Sequence, residues 1–346
     1  RALVRQAGHV TQRSLNVDLI LGEKSTAGAV TLSGDSTADR ARLDALVDEL
    51  RGRLPHLPDD PHLLYSREVR STEAHGSSKL PDAPATLASV LDAARGLEFV
   101  GLWASGGMYS GFANSLGQRN WFSSYTFNLD WSVYHSADKA VKSSYAGFEW
   151  SDAEFTRKLE QCRDQLGILG REPKTIPPGR YRVYLAPVAL GEIVDMLSWG
   201  GLGLKSLRTK HTVLLKMVEE GWKLHPAVTL RENTRDGLTE NFQGQGFIKP
   251  EQVVLVENGT FREPLVSPRS AKEYGVATNG ANSWEAPESI ELSAGDIPSD
   301  EVLARLDTGL YVNNLWYLNF SDRPNCRMTG MTRFACFWVE KGQIAA

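Results

Sequence analysis

The C-terminal stretch from Gly309 to Gln343 carries two apolar runs that are separated by a polar segment. Gly309–Val312 and Phe334–Val339 are short and apolar, which is typical of buried strands. Between them, Ser321–Asn325 is rich in turn-forming residues, and Glu340–Gly342 predicts a tight turn after the second run. The pattern predicts two strands joined by a long loop, a shape that occurs in many folds and indicates no function by itself.

The size and charge of the chain indicate a globular protein with large cores. Its 346 residues, of which 41% are hydrophobic and 23% charged, are enough for two domains. The formal net charge of −4 argues against a nucleic-acid partner held by a broad basic surface. No run of about 18 apolar residues occurs, so we expect no membrane partner.

The cysteines and the first residues bear on the cellular setting. Cys162, Cys326 and Cys336 are too few for a disulfide framework, and no CxxC motif occurs, so we expect a cytoplasmic protein. We assign Cys162 and Cys336 to cores and Cys326 to a loop, as a free thiol. Arg1–Arg5 does not resemble a signal peptide and lacks a methionine, which predicts that the sequence omits a beginning.

The first part of the chain predicts a strand–strand–helix opening. Leu15–Ile20 alternates apolar and polar residues, Gly28–Leu32 is its expected hairpin partner, and Ser36 or Thr37 can cap the next helix. The apolar stripe of that helix is Leu43, Leu46, Val47, Leu50 and Leu54. After it, the prolines around His56, Asp59, Asp60 and His62 predict a solvated loop rather than a metal site.

The segment that follows predicts a helix and an antiparallel meander. Its expected elements are a helix at Ala83–Ala94 and strands at Phe99–Ala104, Tyr109–Asn114, Trp121–Trp131 and Lys142–Trp150, with Gly106–Gly107 between the first two strands. The alternating aromatic residues of Trp121–Trp131 could stack on nucleic-acid bases. Few Lys or Arg residues lie among them, which favours packing within a sheet.

A capping box and a turn-rich segment predict the domain boundary. Ser151–Glu154 fits the capping box, and Phe155, Leu159, Cys162 and Leu166 then share one helix face. Gly170–Pro178 is rich in turn formers. We therefore place an N-terminal α+β domain at residues 1–172 and a C-terminal β-rich domain at 173–346.

The C-terminal domain is expected to mix short helices with strands. The predicted elements are helix Val188–Trp199, a helical or irregular piece at Lys205–Val218, strand His225–Arg231, loop Glu232–Gly246, hairpin 247–262 and helix Pro268–Tyr274. Gly200 and Gly201 are expected to end the first of these helices.

Four pieces in this order resemble the TldD/PmbA family, the "modulator of DNA gyrase" proteins. They are Pro178–Pro187, Val253–Gly259, Ile290–Asp296 with Ser299–Leu303, and the stretch from Gly309. The resemblance covers most of residues 175–346 and, more loosely, 10–170. It implies an α+β protein of two domains, the second mostly antiparallel β with a few helices.

The resemblance also implies where catalytic residues would lie. Metal-bearing members carry HExxxH on the first C-terminal helix, where two imidazoles bind zinc and the Glu acts on water. In this chain, Val194 and Asp195 align with the His–Glu pair of that motif, and Trp199 aligns with its second His. We therefore expect no metal and no cofactor, and we expect zinc only if this alignment is wrong. In place of the family's Phe-Asp-x-Glu-Gly the chain has amides, Gln243 and Gln245, which cannot act as general bases.

The resemblance is strongest to the metal-free PmbA/TldE-like branch. It implies a non-metal subunit that forms a dimer with a metal-bearing TldD-like subunit, or with itself, and that helps to process small or unfolded peptides. A self-sufficient hydrolase is the first alternative, and its candidate residues are Asp195, His211, His225 and Cys326. The last three of these residues are also the candidate ligands of a new metal site. A second alternative is a binding scaffold that uses strands 121–134.

Overall fold

The computed structural model describes residues 3–136 and 139–346, which form an α+β fold as the sequence predicted. The N-terminal elements are β1 (Ser14–Leu21), β2 (Lys24–Thr31), α1 (Ser36–Arg53), β3 (Thr72–His75), α2 (Ala83–Ala93), β4 (Glu98–Ala113), β5 (Arg119–Ser136), β6 (Lys139–Gly147) and α3 (Asp152–Leu169). The C-terminal elements are β7 (Val183–Leu185), α4 (Pro187–Ser198), α5 (Leu204–Arg208), α6 (Leu215–Glu219), β8 (Leu230–Asn233), β9 (Gln252–Glu257), β10 (Thr260–Phe261), α7 (Pro268–Tyr274), β11 (Ile290–Leu292), α8 (Val302–Leu306), β12 (Gly309–Asp322), β13 (Arg327–Glu340) and β14 (Gln343–Ile344). Within the described ranges, no helix combines the length and apolarity that a membrane span needs.

The opening strand–strand–helix unit is confirmed, with one change at the start of α1. β1 and β2 form an antiparallel hairpin, and α1 packs on it through the buried Leu50. The cap of α1 is Asp35, not Ser36 or Thr37, because its carboxylate accepts hydrogen bonds from the backbone of Thr37 and Ala38. A carboxylate there also interacts favourably with the helix dipole.

The N-terminal sheet contains one strand where the sequence predicted two. β4 runs without interruption from Glu98 to Ala113 and pairs with β5 in a single antiparallel register through Gly106 and Gly107. The prediction of a break at these glycines was wrong, because continuous cross-strand pairing outweighs their weak strand propensity. β6 pairs with the second half of β5, which completes the expected antiparallel meander, and β3 adds a parallel edge.

Helices α2 and α3 cover one face of this sheet and form the main core. The buried side chains of the core are Val90, Leu129, Trp131, Val133, Val141, Phe155, Leu159, Cys162, Ala335 and Phe337. Phe122, Phe127 and Trp131 of β5 are therefore buried, as predicted, whereas Trp121 at the start of the strand is 40% exposed, and Cys162 is a core residue. Ser151 caps α3 by accepting from the Glu154 N–H at 3.3 Å.

The C-terminal hairpin is much longer than the sequence indicated. β12 and β13 have 14 residues each and pair down to Asp322 and Arg327, so the connection is a short turn and not a long loop. β7 pairs with β12 in parallel, and β14 flanks β13. Cys336 is only half-buried, since it points away from the face that carries Ala335 and Phe337, and its assignment to the core was wrong. Cys326 is exposed at the turn, as expected.

A second C-terminal sheet has the strand order β10-β9-β8-β11. Its strand β8 begins at Leu230 and includes Glu232 and Asn233, so the predicted strand His225–Arg231 was shifted and the predicted loop began too early. The expected piece Lys205–Val218 is divided into the short helices α5 and α6.

The buried Glu285 joins two helix starts in this half of the chain. Its carboxylate accepts from the Lys205 N–H at 2.8 Å at the start of α5 and from the Ser267 N–H and hydroxyl at 2.9 Å at the start of α7. The neighbouring Trp284 lies in the same loop with 85% of its surface exposed. One side chain thus satisfies backbone donors that short helices leave open.

The two halves of the chain share one core. Ala335 and Phe337 on β13 lie in the cluster formed by β5, β6, α2 and α3, and Asn313 on β12 donates to the Lys142 carbonyl at 3.0 Å. Residues 170–182 contain no helix or strand, and the domain boundary at 172/173 falls among them. That boundary remains a prediction.

We expect Phe337→Ala to lower the free energy of unfolding by about 3–5 kcal/mol, because its ring is buried in the shared core. Trp284→Ala is the control, and it should change stability by less than about 0.5 kcal/mol, since its ring lies in solvent. Denaturant unfolding followed by fluorescence and circular dichroism measures both values. Similar losses for the two variants would contradict this placement of Phe337.

Candidate functional site

Helix α4 carries the three positions that the family alignment singled out. Pro187 occupies the first helical position, where its missing N–H costs nothing, and the buried Ala189 and Met196 face the neighbouring strands β7 and β12. The helix ends at Ser198 with Trp199 as its C-cap, and Gly200 follows with a φ of 77°, a conformation that glycine adopts without strain. The sequence therefore forms the expected helix at this place.

Two of the three aligned positions lie on the solvent face of α4. Asp195 and Trp199 are four residues apart and exposed, the indole over 53% of its surface, whereas Val194 is half-buried. The guanidinium of Arg323, from the β12–β13 turn, donates to the Trp199 carbonyl. Arg323 thus fixes the end of the helix and leaves the indole exposed.

The segment Phe242–Gly246 forms a tight turn at the seam between the two halves. The Gln243 side-chain oxygen Oε1 accepts from the Gln245 backbone N–H, and the Gly246 N–H closes the turn on the Gln243 backbone carbonyl at 2.9 Å. Phe242 and Gln243 are buried. The amide group of Gln243, Nε2, has no hydrogen-bond partner among the residues that the structure describes.

The N-terminal half holds this turn through buried amides. Gln118, which is fully buried, donates to the Gly246 carbonyl at 3.1 Å and to the Asn120 side-chain oxygen at 2.9 Å. The Ser66 N–H donates to the Gln245 carbonyl at 2.8 Å. In the structure, Gln243 and Gln245 therefore belong to a turn that contacts the N-terminal half of the chain.

The structure does not gather the candidate residues into one site. Across the described ranges, no hydrogen bond joins the α4 positions to Gln243 or Gln245, and no group of three or more His, Cys, Asp or Glu side chains is arranged to hold a metal. His211, His225 and Cys326 are each exposed. Val194 and Trp199 offer no donor atom of the kind that zinc takes, so the residues present do not fit the zinc site of the family.

The loop that contains His56 and His62 serves as a contact between the halves. Asp60 forms an ion pair with Arg269 on α7, and the hydrogen bond from Arg269 lowers the pKa of the Asp60 carboxyl. The His62 N–H donates to Asp60 at 3.0 Å. Asp60 is thus half-buried, not fully solvated, and it pairs with an arginine instead of a metal.

A buried acid that the sequence analysis assigned to a loop lies on strand β8. Glu232 on β8 accepts from the backbone N–H groups of Glu288 at 2.9 Å and Ser289 at 3.0 Å through one oxygen. Its other oxygen, Oε2, has no partner within the described part of the chain. Lys249, which is also buried, forms an ion pair with Glu288 beside it. Burial raises the pKa of Glu232 above its usual 4.5, against the two backbone hydrogen bonds and Lys249, which lower it.

The space around Glu232 limits what this acid can do. The cavity that Glu232, Lys249 and Glu288 help to line has a volume of about 10 Å³, which is room for one water molecule. A peptide cannot enter it. The arrangement can hold one proton or one water, and we assign it a structural part. The signal in the sequence was the alternation Val228, Leu230, Glu232, which puts the acid on the buried face of a strand.

We expect Gly246→Ala to destabilise the protein by about 1–3 kcal/mol. Its φ is +82°, and a Cβ there would lie 3.2 Å from the Gln118 side-chain oxygen. Gly244→Ala in the same turn is the matched control, because a Cβ at Gly244 meets nothing within 4 Å. Thermal unfolding compares the two variants, and equal melting temperatures would contradict the described turn.

We expect Glu232→Gln to gain stability relative to the wild type as the pH rises from about 4.5. Because the pKa of Glu232 is raised in the folded protein, the folded state binds this proton more tightly than the unfolded state. Its contribution to stability is present at low pH and is lost as the pH rises through the raised pKa. Unfolding of both proteins between pH 4 and pH 8 measures the difference. Glu98→Gln, the same change at an exposed position, controls for loss of charge, and a difference that shrinks with rising pH would contradict the burial of Glu232.

Comparisons with known proteins agree with this architecture. Residues 178–346 match the family model of the PmbA/TldA metallopeptidase C-terminal domain. No curated protein matches the chain in a sequence search. The fold is similar to that of two proteins described as modulators of DNA gyrase. For the protein from Thermotoga maritima MSB8, the TM-score is 0.67 and the identity 14%, with coverage of 96% of this chain and 78% of that chain. For the protein from Bacteroides thetaiotaomicron VPI-5482, the TM-score is 0.68 and the identity 16%, with the same coverages.

A third solved structure extends the comparison. TldE from Thermococcus kodakarensis has a TM-score of 0.68 and 14% identity, with coverage of 96% of this chain and 79% of that chain. Identities this low establish the fold alone, whereas the family model matches the sequence of the C-terminal half. Together with the four ordered sequence pieces, these findings show that residues 178–346 are a C-terminal domain of the TldD/PmbA family of metallopeptidase-related proteins and that the chain has the fold of the proteins described as modulators of DNA gyrase and of TldE.

Proposed function

We propose that this chain is the non-metal subunit of an assembly that processes small or unfolded peptides. The observation that carries the proposal is helix α4, which is formed and packed while Val194 and Trp199 stand where metal-bearing members carry imidazoles. Asp195 retains a carboxylate at the position that we align with the family's Glu, but no imidazole lies beside it on the helix. The chain keeps this helix as a structural element but lacks the imidazoles that hydrolysis at this site would need.

The second family position supports the same proposal. Gln243 and Gln245 cannot accept a proton at neutral pH, and Gln243 uses its side chain to bind the backbone of its own turn. Amides in this place keep a hydrogen-bonded turn and remove the general base. In this proposal the chain contributes structural and peptide-binding surface to the assembly. The exposed Asp195 and Trp199 are the candidate residues for contact with the peptide.

The partner that we propose is a metal-bearing TldD-like subunit, or a second copy of this chain, in the cytoplasm. A TldD-like partner would supply the zinc and the water-activating acid, which a second copy of this chain lacks. In this proposal the present chain binds and orients an extended peptide, a role for which the exposed indole of Trp199 is suited.

The two alternatives have less support. A self-sufficient hydrolase would need His211, His225, Cys326 and Asp195 to act together, and the first three are separate and exposed. A scaffold that binds through strands 121–134 would need their aromatic rings on the surface, but Phe122, Phe127 and Trp131 are buried, and Trp121 alone, at 40%, counts as exposed among the described aromatic residues of this stretch.

We expect the purified full-length chain to contain almost no zinc and to cleave no peptide alone. Mixed with a metal-bearing relative, it should support cleavage that a chelator stops. Elemental analysis after purification without chelators or a metal-binding tag measures the zinc, and a quenched fluorescent peptide library measures cleavage. One zinc per chain, or chelator-sensitive cleavage by the chain alone, would sink the proposal.

A set of alanine variants separates the alternatives. Asp195→Ala, His211→Ala, His225→Ala and Cys326→Ala should leave the activity of the isolated chain unchanged, at background. In the assembly, Trp199→Ala should raise KM for peptide more than it lowers kcat, because the indole would bind substrate without taking part in the chemistry. A loss of kcat alone would argue against a binding role for Trp199.

A further inference from the structure

The guanidinium of Arg333 on strand β13 is held by two aromatic rings. Its central carbon lies 4.4 Å from the ring centroid of Trp316 on β12 and 4.9 Å from that of Phe334, the next residue along β13. Such cation–π contacts restrict the motion of a guanidinium and leave N–H groups available for hydrogen bonds. Arg333 is exposed, so these N–H groups can meet a ligand from solvent.

The charge of Arg333 is not neutralised within the part of the chain that the structure describes. There it forms no ion pair with a carboxylate, in contrast to Arg269 on α7 and Arg305 on α8. The hairpin itself supplies no acid, because neither Gly309–Ser321 nor Arg327–Val339 contains Asp or Glu. A chain with a net charge of −4 thus presents on this hairpin a positive charge that is held in place.

A buried amide lies on the same face of the hairpin as Arg333. Asn314 on β12 is the cross-strand partner of Arg333, and directly opposed residues extend their side chains from the same face of a sheet. Only 2% of the surface of Asn314 is exposed, yet its Nδ2 atom has no hydrogen-bond partner among the described residues. A buried donor without an acceptor is rare in folded proteins and points to an acceptor that comes from elsewhere.

The face that carries Asn314 opens to solvent one step along the hairpin. Trp316 and Met331 form the next cross-strand pair on this face, and their side chains are 50% and 58% exposed. The amide of Asn314 therefore lies at the inner end of a surface whose outer end is apolar and accessible. A ligand that approaches over Trp316 meets the guanidinium of Arg333 and then the amide.

The backbone around this face is irregular. The pairing of β12 with β13 shifts on either side of Asn314–Trp316, and two residues at these shifts, Phe334 and Tyr317, have φ values of +63° and +54°. Bulky residues rarely adopt this left-handed conformation, and such strain concentrates at functional sites. Irregular pairing also redirects the side chains beside it, here that of Arg333.

We propose that Arg333 and Asn314 form a subsite that binds a carboxylate of a peptide. The guanidinium presents paired N–H donors that match the two oxygens of a carboxylate, and the Asn314 amide adds a neutral donor beside them. One positive charge matches the single charge of a carboxylate, whereas a phosphate monoester carries nearly two. That the ligand is a peptide rests on the proposed function, but the carboxylate chemistry rests on these residues alone.

Peptide binding to the isolated full-length chain tests the subsite. Calorimetry compares four forms of one short N-acetylated peptide without other charges, which carry Glu or Gln at the centre and a free or an amidated C-terminus. A form with the matching carboxylate should bind at least about 10-fold more tightly than the form without any carboxylate. The two singly charged forms distinguish a side-chain carboxylate from a terminal one. Equal affinities for all four forms overturn the inference.

Substitutions test the two residues separately. Arg333→Gln should abolish the preference for carboxylate forms, and Arg333→Lys should keep only part of it, because an ammonium lacks the paired donors. Arg327→Gln, the same change at another exposed arginine of β13, is the matched control and should keep the preference. A preference that survives Arg333→Gln, or that Arg327→Gln abolishes equally, overturns the inference.

Asn314→Leu removes the buried donor and separates a ligand contact from a structural one. It should weaken binding of the carboxylate form by at least about 5-fold without lowering the melting temperature, since Nδ2 has no partner in the described part of the chain. Unchanged affinity in this variant overturns the assignment of Asn314.

The outcomes also distinguish this inference from the proposed function, because the binding measurements need neither zinc nor cleavage. A carboxylate preference in a chain that supports no cleavage with a metal-bearing relative supports the subsite and contradicts the subunit role. Cleavage by the assembly without any carboxylate preference does the reverse. A single-stranded oligonucleotide that binds more tightly than every peptide form, and loses this affinity in Arg333→Gln, also overturns the inference.

Discussion

The burial of strand β13 against the N-terminal sheet is the interaction on which the rest of the structure depends. Ala335 and Phe337 complete a core whose other walls are β5, β6, α2 and α3, so neither half can bury its apolar surface alone. The hairpin of β12 and β13 is held at its base by this contact. Helix α4 packs on β12, and the core therefore also positions the helix that carries the candidate site.

Polar groups at the seam between the halves add specificity to that apolar contact. Gln118 reaches the Phe242–Gly246 turn, and Asp60 reaches Arg269. A buried amide that finds its partner in only one arrangement makes other arrangements costly, because it would lose its hydrogen bonds in a medium of low polarity. Gln243 and Gln245, which the sequence analysis aligned with acids of the family, thus lie in a turn that helps to fix the two halves of the chain against each other.

The sequence predicted well what depends on local pattern. The β1–β2 hairpin, the cap at Ser151, the buried Cys162 and the course of α4 follow from periodicity and capping chemistry alone. It predicted poorly what depends on distant pairing. β4 passes through Gly106–Gly107 because β5 holds it in register, and β12 and β13 extend through polar residues because each supplies the other's hydrogen bonds. For the candidate site, the sequence predicted that the zinc ligands of the family are missing. It did not predict that Glu232 is buried, because the strands that bury this residue follow it in the chain.

Glu285 illustrates how an interior charge can shape the outside of a protein. By accepting hydrogen bonds from Lys205 and Ser267, it anchors the loop in which it lies to the starts of two helices. The next residue back, Trp284, is therefore displayed on a backbone that is already ordered. A flexible loop would have to surrender its conformational freedom before an indole at its tip could bind anything. At Trp284 that entropy was lost when the chain folded, so any molecule that contacts this ring meets a surface that is already in place.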